Sequence, residues 1–220
     1  MSAPRARDAR VAAGANAAQA DNEPEDPAVV SPRPSERPPP ALPSETTVLH
    51  IGDSFAGALG LPLGRRLKGA GSKSVLHFKT ASFIPNWAHS KELRLWLLRY
   101  QPDLVLITLG ANEIEIVEPE QRAKPVRRLV QALEGRPCVW VGPPLWTDDT
   151  RLMDVIRDNV SPCRFLDSTR LVPDLERMSD GIHPTLEARE RWADAVVDWL
   201  RRERLPNAAR PWDFRPAASP

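Results

Sequence analysis

Thr47-Val48-Leu49-His50-Ile51-Gly52-Asp53-Ser54 sets a mostly apolar run directly against a glycine, an aspartate and a serine. A short run of this kind, closed by turn residues, reads as a strand covered on both faces. Four more runs share the character: Ser74 to Lys79, Asp103 to Leu109, Cys138 to Val141 and Arg164 to Leu166. Leu104-Val105-Leu106-Ile107 has no apolar/polar alternation, as expected where helices lie on both sides of a sheet. Between the runs, Leu93, Trp96, Leu97 and Tyr100 recur at helical spacing, as do Val126, Leu129, Val130 and Leu133. A last helix is expected from Leu186 to Arg202, with Thr185 as its N-cap and Ala193, Val196, Val197 and Leu200 as its apolar stripe. Strands alternating with helices predict an α/β fold built on a five-stranded parallel sheet.

These elements fall within residues 46–205, enough for one ordinary domain with a core of its own. Residues 1–45, rich in alanine, proline and charge and including Pro38-Pro39-Pro40, read as a disordered segment and extended tether. Residues 206–220 read as a C-terminal tail. Met1 to Ala20 lacks the apolar centre of a secretory signal, and no stretch is long and apolar enough to suggest a transmembrane segment. Tethers of this composition often follow an export signal or anchor, so an extracytoplasmic location, periplasmic or secreted, is the expectation.

Lysine and arginine number 30 against 29 acidic residues, a net charge of +1, and no basic block stands beside stacking aromatics. Nucleic acid is therefore not an expected partner. Arg65-Arg66, Arg127-Arg128 and Arg201-Arg202 read as solvated helix faces. The sequence holds no signal of oligomeric state. Two cysteines, Cys138 and Cys163, are too few for a four-cysteine zinc site and form no CxxC pair. They stand at or just ahead of two successive strands. If those strands are parallel neighbours, the two sulfurs come close enough to bridge, which fits an oxidising compartment; otherwise they are two buried thiols. His50, His77 and His89 have no second ligand at metal spacing and are expected in the core or on the surface. Asp148 and Asp149 read as loop or helix-cap residues.

Open parallel sheets take their ligands outside the carboxyl ends of the strands. Gly52-Asp53-Ser54, Thr80-Ala81-Ser82, Gly110-Ala111-Asn112-Glu113 and Gly142-Pro143-Pro144 follow the first four strands, so their polar groups collect on one edge. Asp180-Gly181-Ile182-His183 stands just before the last helix. A serine hydroxyl is a poor nucleophile until an imidazole takes its proton and a carboxylate holds that imidazole in the right tautomer. Gly181 and Pro184 favour a turn that lets Asp180 reach back to His183.

From about Val48 to His183 these blocks resemble the SGNH or GDSL hydrolases: Gly52-Asp53-Ser54, then Gly110-Ala111-Asn112-Glu113, then Asp180-Gly181-Ile182-His183. The resemblance implies a flavodoxin-like three-layer α/β/α sandwich and an acyl-serine mechanism without metal or organic cofactor. It casts Ser54 as nucleophile, His183 as general base and then general acid, and Asp180 as the group that orients His183. For the oxyanion it implies the backbone N–H of Ser54, a glycine N–H after the second strand and the amide of Asn112. The segment Thr80 to Trp87 has no glycine, and the second role falls to the backbone of Ala81. Glu113 replaces the family's aspartate and is expected to support its loop, with Asp53 as a hydrogen-bonding strut. Trp87 and Trp146, on loops at the same edge, are expected to line the substrate. The implied function is a serine esterase for an O-acyl group, short as in acetyl, carried by a small molecule or a glycan. Two alternatives stand beside it: a lysophospholipase or thioesterase for longer acyl chains, and a weakly catalytic binding domain suggested by the missing glycine.

Overall fold

The computed structural model describes residues 40–216. Five parallel strands, β1 (Thr47–Gly52), β2 (Lys73–Phe78), β3 (Leu104–Thr108), β4 (Cys138–Gly142) and β5 (Arg164–Asp167), form one sheet in the order β2-β1-β3-β4-β5. The expected fold class holds: the sheet is all parallel and covered by helices on both sides.

Because successive side chains on a strand point to opposite faces, each strand feeds two cores. Leu49, Ile51, Val105, Ile107 and Trp140 pack under α2 (Ile84–Ala88), α3 (Lys91–Tyr100), α4 (Ala123–Gln131) and α5 (Leu152–Asn159). Val48, Leu104, Leu106, Val139 and Val141 pack under α1 (Ser54–Gly69) and α7 (Leu186–Glu203). A short helix, α6 (Ser168–Leu171), follows β5. Thr185 does cap α7, its hydroxyl accepting from the Ala188 N–H at 3.2 Å. Arg66 on α1 reaches Glu190 at 2.8 Å and Asp194 at 2.5 Å on α7, tying these two helices together over the sheet.

The domain is wider at both ends than its apolar periodicity suggests. Leu42 is buried, and Ser72 Oγ donates to the Pro43 carbonyl at 2.7 Å. At the other end residues 206–216 are not a free tail. Trp212 is fully buried and its indole N–H donates to Thr46 Oγ1 at 3.1 Å, while Arg204 and Phe214 form an antiparallel bridge. The buried indole and the backbone hydrogen bonds from Leu205 to Asp213 at 2.7 Å and from Arg215 to Glu203 at 2.9 Å together fix this proline-interrupted segment. The remainder of the expected tether and tail, residues 1–39 and 217–220, lies outside the described residues. No helix among the described residues is long and apolar enough to cross a membrane.

Cys138 and Cys163 are joined in a disulfide, so of the two readings the bridge is the one found. It ties the amino-terminal ends of β4 and β5 across a separation of 25 residues. A loop of that size lowers the entropy of the unfolded chain enough to stabilise the fold by about 3 kcal/mol. Urea unfolding with dithiothreitol should show a lower midpoint than without it, corresponding to a loss of unfolding free energy of that size. Equal midpoints for the parent and a Cys138→Ala, Cys163→Ala variant would contradict it.

Candidate active site

The site grows from the end of β1. A Cβ atom on Gly52 would lie 1.9 Å from the Thr108 carbonyl oxygen, so only glycine lets β1 and β3 approach this closely at their carboxyl ends. The chain then turns straight into α1. Asp53 is the N-cap, its Oδ1 accepting from the Phe55 N–H at 2.9 Å, and Ser54 is the first helical residue. At that position a backbone N–H has no partner within the helix.

Ser54 Oγ lies 3.0 Å from His183 Nε2 although 129 residues separate them. His183 Nδ1 lies 2.7 Å from Asp180 Oδ2. The other oxygen of Asp180 accepts from the backbone N–H groups of Ile182 at 2.9 Å and His183 at 3.0 Å. The turn that permits this places Gly181 at φ 69° and is closed by the Met178 N–H on the His183 carbonyl at 2.8 Å. The Ile182 N–H, the His183 ring and the His183 N–H together hold the Asp180 carboxyl down to about 2. A carboxylate that stays charged at neutral pH calls for the proton on Nδ1, which leaves the Nε2 lone pair facing the Ser54 hydroxyl. The structure thus brings together Ser54, His183 and Asp180 as a hydroxyl, an imidazole able to take its proton, and a carboxylate fixing the tautomer.

Two side chains without a sequence motif hold this row in place. The Phe55 ring, 1% exposed, stacks on His183 with centroids 5.3 Å apart and on Trp146 at 5.4 Å. Arg177 donates to the carbonyls of Ile182 at 2.8 Å, Pro144 at 3.0 Å and Leu145 at 2.9 Å, pinning the Asp180–His183 loop to the segment after β4. Desolvation lowers the Arg177 pKa, opposed by the charge of Asp180. An aromatic one residue after the serine is a readable signal for Phe55. Arg177 has none, because its three partners are backbone carbonyls.

Opposite His183, the segments after β2 and β3 are knitted to each other. Asn112 Nδ2 donates to the Ser82 carbonyl at 3.0 Å, which leaves its second amide hydrogen uncommitted. The Lys79 N–H donates to the Gly52 carbonyl at 2.9 Å and Ser82 Oγ to the Lys79 carbonyl at 2.7 Å, so Ala81 sits on a segment tied at once to β1 and to Asn112. Ala81 has φ 52°, the left-handed region in which a Cβ costs about 1 kcal/mol or more. Glu113 is buried and accepts from the Ile84 N–H at 2.7 Å and from Arg122, supporting this loop through its carboxylate. Trp146 is half-buried beside Asn112. Trp87, in contrast, does not line the edge: it is 6% exposed, belongs to the core under α2 and α3, and donates its indole N–H to Ser82 Oγ at 2.8 Å. An indole on a one-turn helix was drawn inward by the area it buries.

His50 is fully buried, its pKa lowered to about 3 by desolvation, and its Nε2 pairs with Thr108 Oγ1 at 2.9 Å. His77 stacks on Trp96 at 4.0 Å. Asp149 Oδ2 accepts from the Met153 N–H at 2.7 Å in the first turn of α5, a capping contact. Among the described residues no group of three or more histidines, cysteines and acids is placed to hold a metal.

No protein-family model matches the chain. Protein BcsX of Komagataeibacter xylinus is 29% identical over 135 residues, 54% of this chain and 50% of that protein, so the chain spans about half the length of the curated relative it matches. Among solved structures it is similar to an acetyl esterase mutant with acetate ion (TM-score 0.55, 15% identity, 70% of this chain and 96% of that one). It is likewise similar to the lipase/acylhydrolase from Enterococcus faecalis (0.56, 14%, 71% and 95%) and to the acetylxylan esterase Axe2 from Geobacillus stearothermophilus (0.54, 13%, 71% and 94%). The chain has the SGNH/GDSL hydrolase fold.

Asp53 gives a test of how tightly this edge is packed. Burial pushes its carboxyl up to about 7, against the backbone N–H of Phe55 and the nearby amides of Ala111 and Gly110; its Oδ2 has no full hydrogen bond. A pKa raised on folding means the folded state holds the proton between pH 4 and 7, so stability is complete below about 4 and falls as pH rises through 7. Asn caps a helix as well as Asp does. The Asp53→Asn variant should therefore gain stability relative to the parent, by on the order of 2 to 4 kcal/mol, as pH rises from 4 to 8 in urea titrations. Parallel pH profiles for the two proteins would contradict this placement.

Proposed function

We propose that this chain is a serine hydrolase that removes short O-acyl groups, acetyl above all, from a carbohydrate. The observation that carries the reading is the unbroken row Ser54 Oγ, His183 Nε2, His183 Nδ1, Asp180 Oδ2, at 3.0 and 2.7 Å. Ser54 Oγ attacks the ester carbonyl while its proton passes to His183 Nε2. The C–O bond to the alcohol then breaks, and His183 returns the proton to the leaving oxygen. Water, deprotonated by the same imidazole, attacks the acyl-serine and releases the acid and Ser54. Asp180 stabilises the transient imidazolium and stays ionised throughout.

The oxyanion role goes to the Ser54 N–H at the open end of α1, to the free amide hydrogen of Asn112 and to the Ala81 N–H. The first lies in the favourable field of a helix N-terminus. A short acyl group suits this edge, where the helices that precede α3, α4 and α7 in the connections among the described residues are only about one turn long. The similar structures, an acetyl esterase and an acetylxylan esterase among them, support the same class of ester. The Cys138–Cys163 disulfide supports an oxidising, extracytoplasmic compartment.

Hydrolysis of p-nitrophenyl acetate without added cofactor tests the mechanism. Ser54→Ala and His183→Ala, folded by circular dichroism, should lose at least about 10³-fold in kcat/KM, and Asp180→Asn about 10²- to 10⁴-fold. Undiminished activity in Ser54→Ala would defeat the reading, and a preference for p-nitrophenyl octanoate would shift it to longer acyl chains. At the second oxyanion donor, Ala81→Gly should hold or raise kcat/KM because glycine takes φ 52° freely, while Ala81→Val should lower it by distorting the segment. A loss in Ala81→Gly equal to that in Ala81→Val would rule out the conformational argument.

A further inference from the structure

Phe83 is a large aromatic left 42% exposed on a segment that is otherwise tightly held. Its neighbour on one side, Ser82, receives the Asn112 amide on its carbonyl, and its neighbour on the other, Ile84, donates its N–H to Glu113. Its own N–H donates to Asn86 Oδ1 at 2.8 Å. The ring therefore stands in water on a backbone anchored at three successive residues. It lines an open cleft of about 470 Å³ together with Asn112, Ile116, Glu115, Arg122 and Trp146. Trp146 is backed by the Phe55 ring at 5.4 Å, so it too is an aromatic wall on a firm support. A further open hollow of about 650 Å³ adjoins Trp146 and carries Thr147, Asp148, Asp149 and Thr169.

We propose that the cleft between Phe83 and Trp146 is a glycan subsite that holds the alcohol part of the ester, with pyranose rings packed on the two aromatic walls. This rests on the hydrolase reading and names its substrate side. The cleft is lined by Asn112 but not by Ser54 or His183, so it lies beside the reacting serine and has its volume free for the alcohol half of the ester. The choice between a sugar and a long acyl chain follows from the rim. Glu115 and Asp148 stand exposed on the borders of the two hollows, and covering them with alkyl chain strips their water without giving them a partner. Sugar hydroxyls supply those partners along the ring edge, while the C–H face of the same ring meets the aromatic wall. Because Trp146 borders both hollows, the fitting ligand is an oligosaccharide longer than one ring.

The experiment compares partially O-acetylated xylo-oligosaccharides and cello-oligosaccharides with p-nitrophenyl acetate on the full chain and on Phe83→Ala. Phe83 is exposed and outside both cores, so its truncation leaves the fold in place, and Trp146→Phe serves as a conservative second variant. The proposal expects the ratio of kcat/KM for oligosaccharide acetate to kcat/KM for p-nitrophenyl acetate to fall about five- to tenfold in Phe83→Ala, chiefly through KM. The same oligosaccharides should quench tryptophan fluorescence of Ser54→Ala and do so less in Ser54→Ala, Trp146→Phe. An unchanged ratio, or improved hydrolysis of octanoate in place of sugar acetates, overturns the subsite while leaving the hydrolase reading intact. Glycan binding by Ser54→Ala alongside a parent inactive on every ester overturns the hydrolase reading and keeps the subsite.

Discussion

Gly52 meets the Thr108 carbonyl so closely that any side chain there would displace β3. β1 and β3 are neighbours in the sheet although β2 lies between them in sequence, and the strand order reverses at this pair. The carboxyl end of such a pair is where an open α/β sheet offers a crevice. The tight contact seats Asp53 against the backbone of Gly110 and Ala111, so the first turn of α1 and the segment after β3 become one unit. His50 and Thr108 add a buried neutral hydrogen bond beneath it. Ser54 and Asn112 owe their shared location to this junction rather than to any direct bond between them.

The other half of the site comes from far along the chain and has to be brought to Ser54 without strand pairing. Arg177 does part of this by fastening the Asp180–His183 loop to the segment after β4, and Phe55 gives the imidazole a flat surface to rest on. The start of α7, capped by Thr185 and bound to α1 through Arg66, fixes the loop from its far side. Two carboxyls near the serine are driven in opposite directions by these surroundings. Asp53, enclosed and short of donors, moves up to about 7, whereas Asp180, exposed and given three hydrogen bonds, moves down to about 2. Divergent environments of this kind separate a structural strut from the group suited to orient a base.

The sheet was legible because the three central strands are buried on both faces and the two edge strands partly so, leaving five mostly apolar runs, each found within a residue or two of its expected bounds. Helix α1 was harder to read: Gly57, Gly60, Gly64 and Gly69 with Pro62 make a poor helix by intrinsic preference, and packing between β2 and α7 overrides that preference. α5 starts from Arg151 in the left-handed region with no side-chain cap of its own, and its start is marked only by Asp149 two residues earlier, which accepts from the Met153 N–H. Among the candidate site residues, Ser54, Asn112, Asp180 and His183 were visible because the roles proposed for them depend on position next to a strand end or a turn. The fates of Trp87, Trp146 and Phe83 depend on which neighbour covers each ring, and loop sequence does not encode that. The packing of residues 206–216 was likewise hidden, since it rests on Trp212 finding Thr46 and on backbone hydrogen bonds to the end of α7, none of which has a periodic pattern.

The proposed mechanism depends on the hydrogen bond from Ser54 to His183 making this one serine nucleophilic. Diethyl p-nitrophenyl phosphate tests it without reference to any natural substrate, because attack at phosphorus releases p-nitrophenolate and leaves a stable phosphoryl-serine. Peptide mass spectrometry of the treated full chain should find one diethylphosphoryl group, on Ser54, and none in the His183→Ala variant. An unlabelled Ser54, or labelling that proceeds equally fast without the imidazole, would contradict the account.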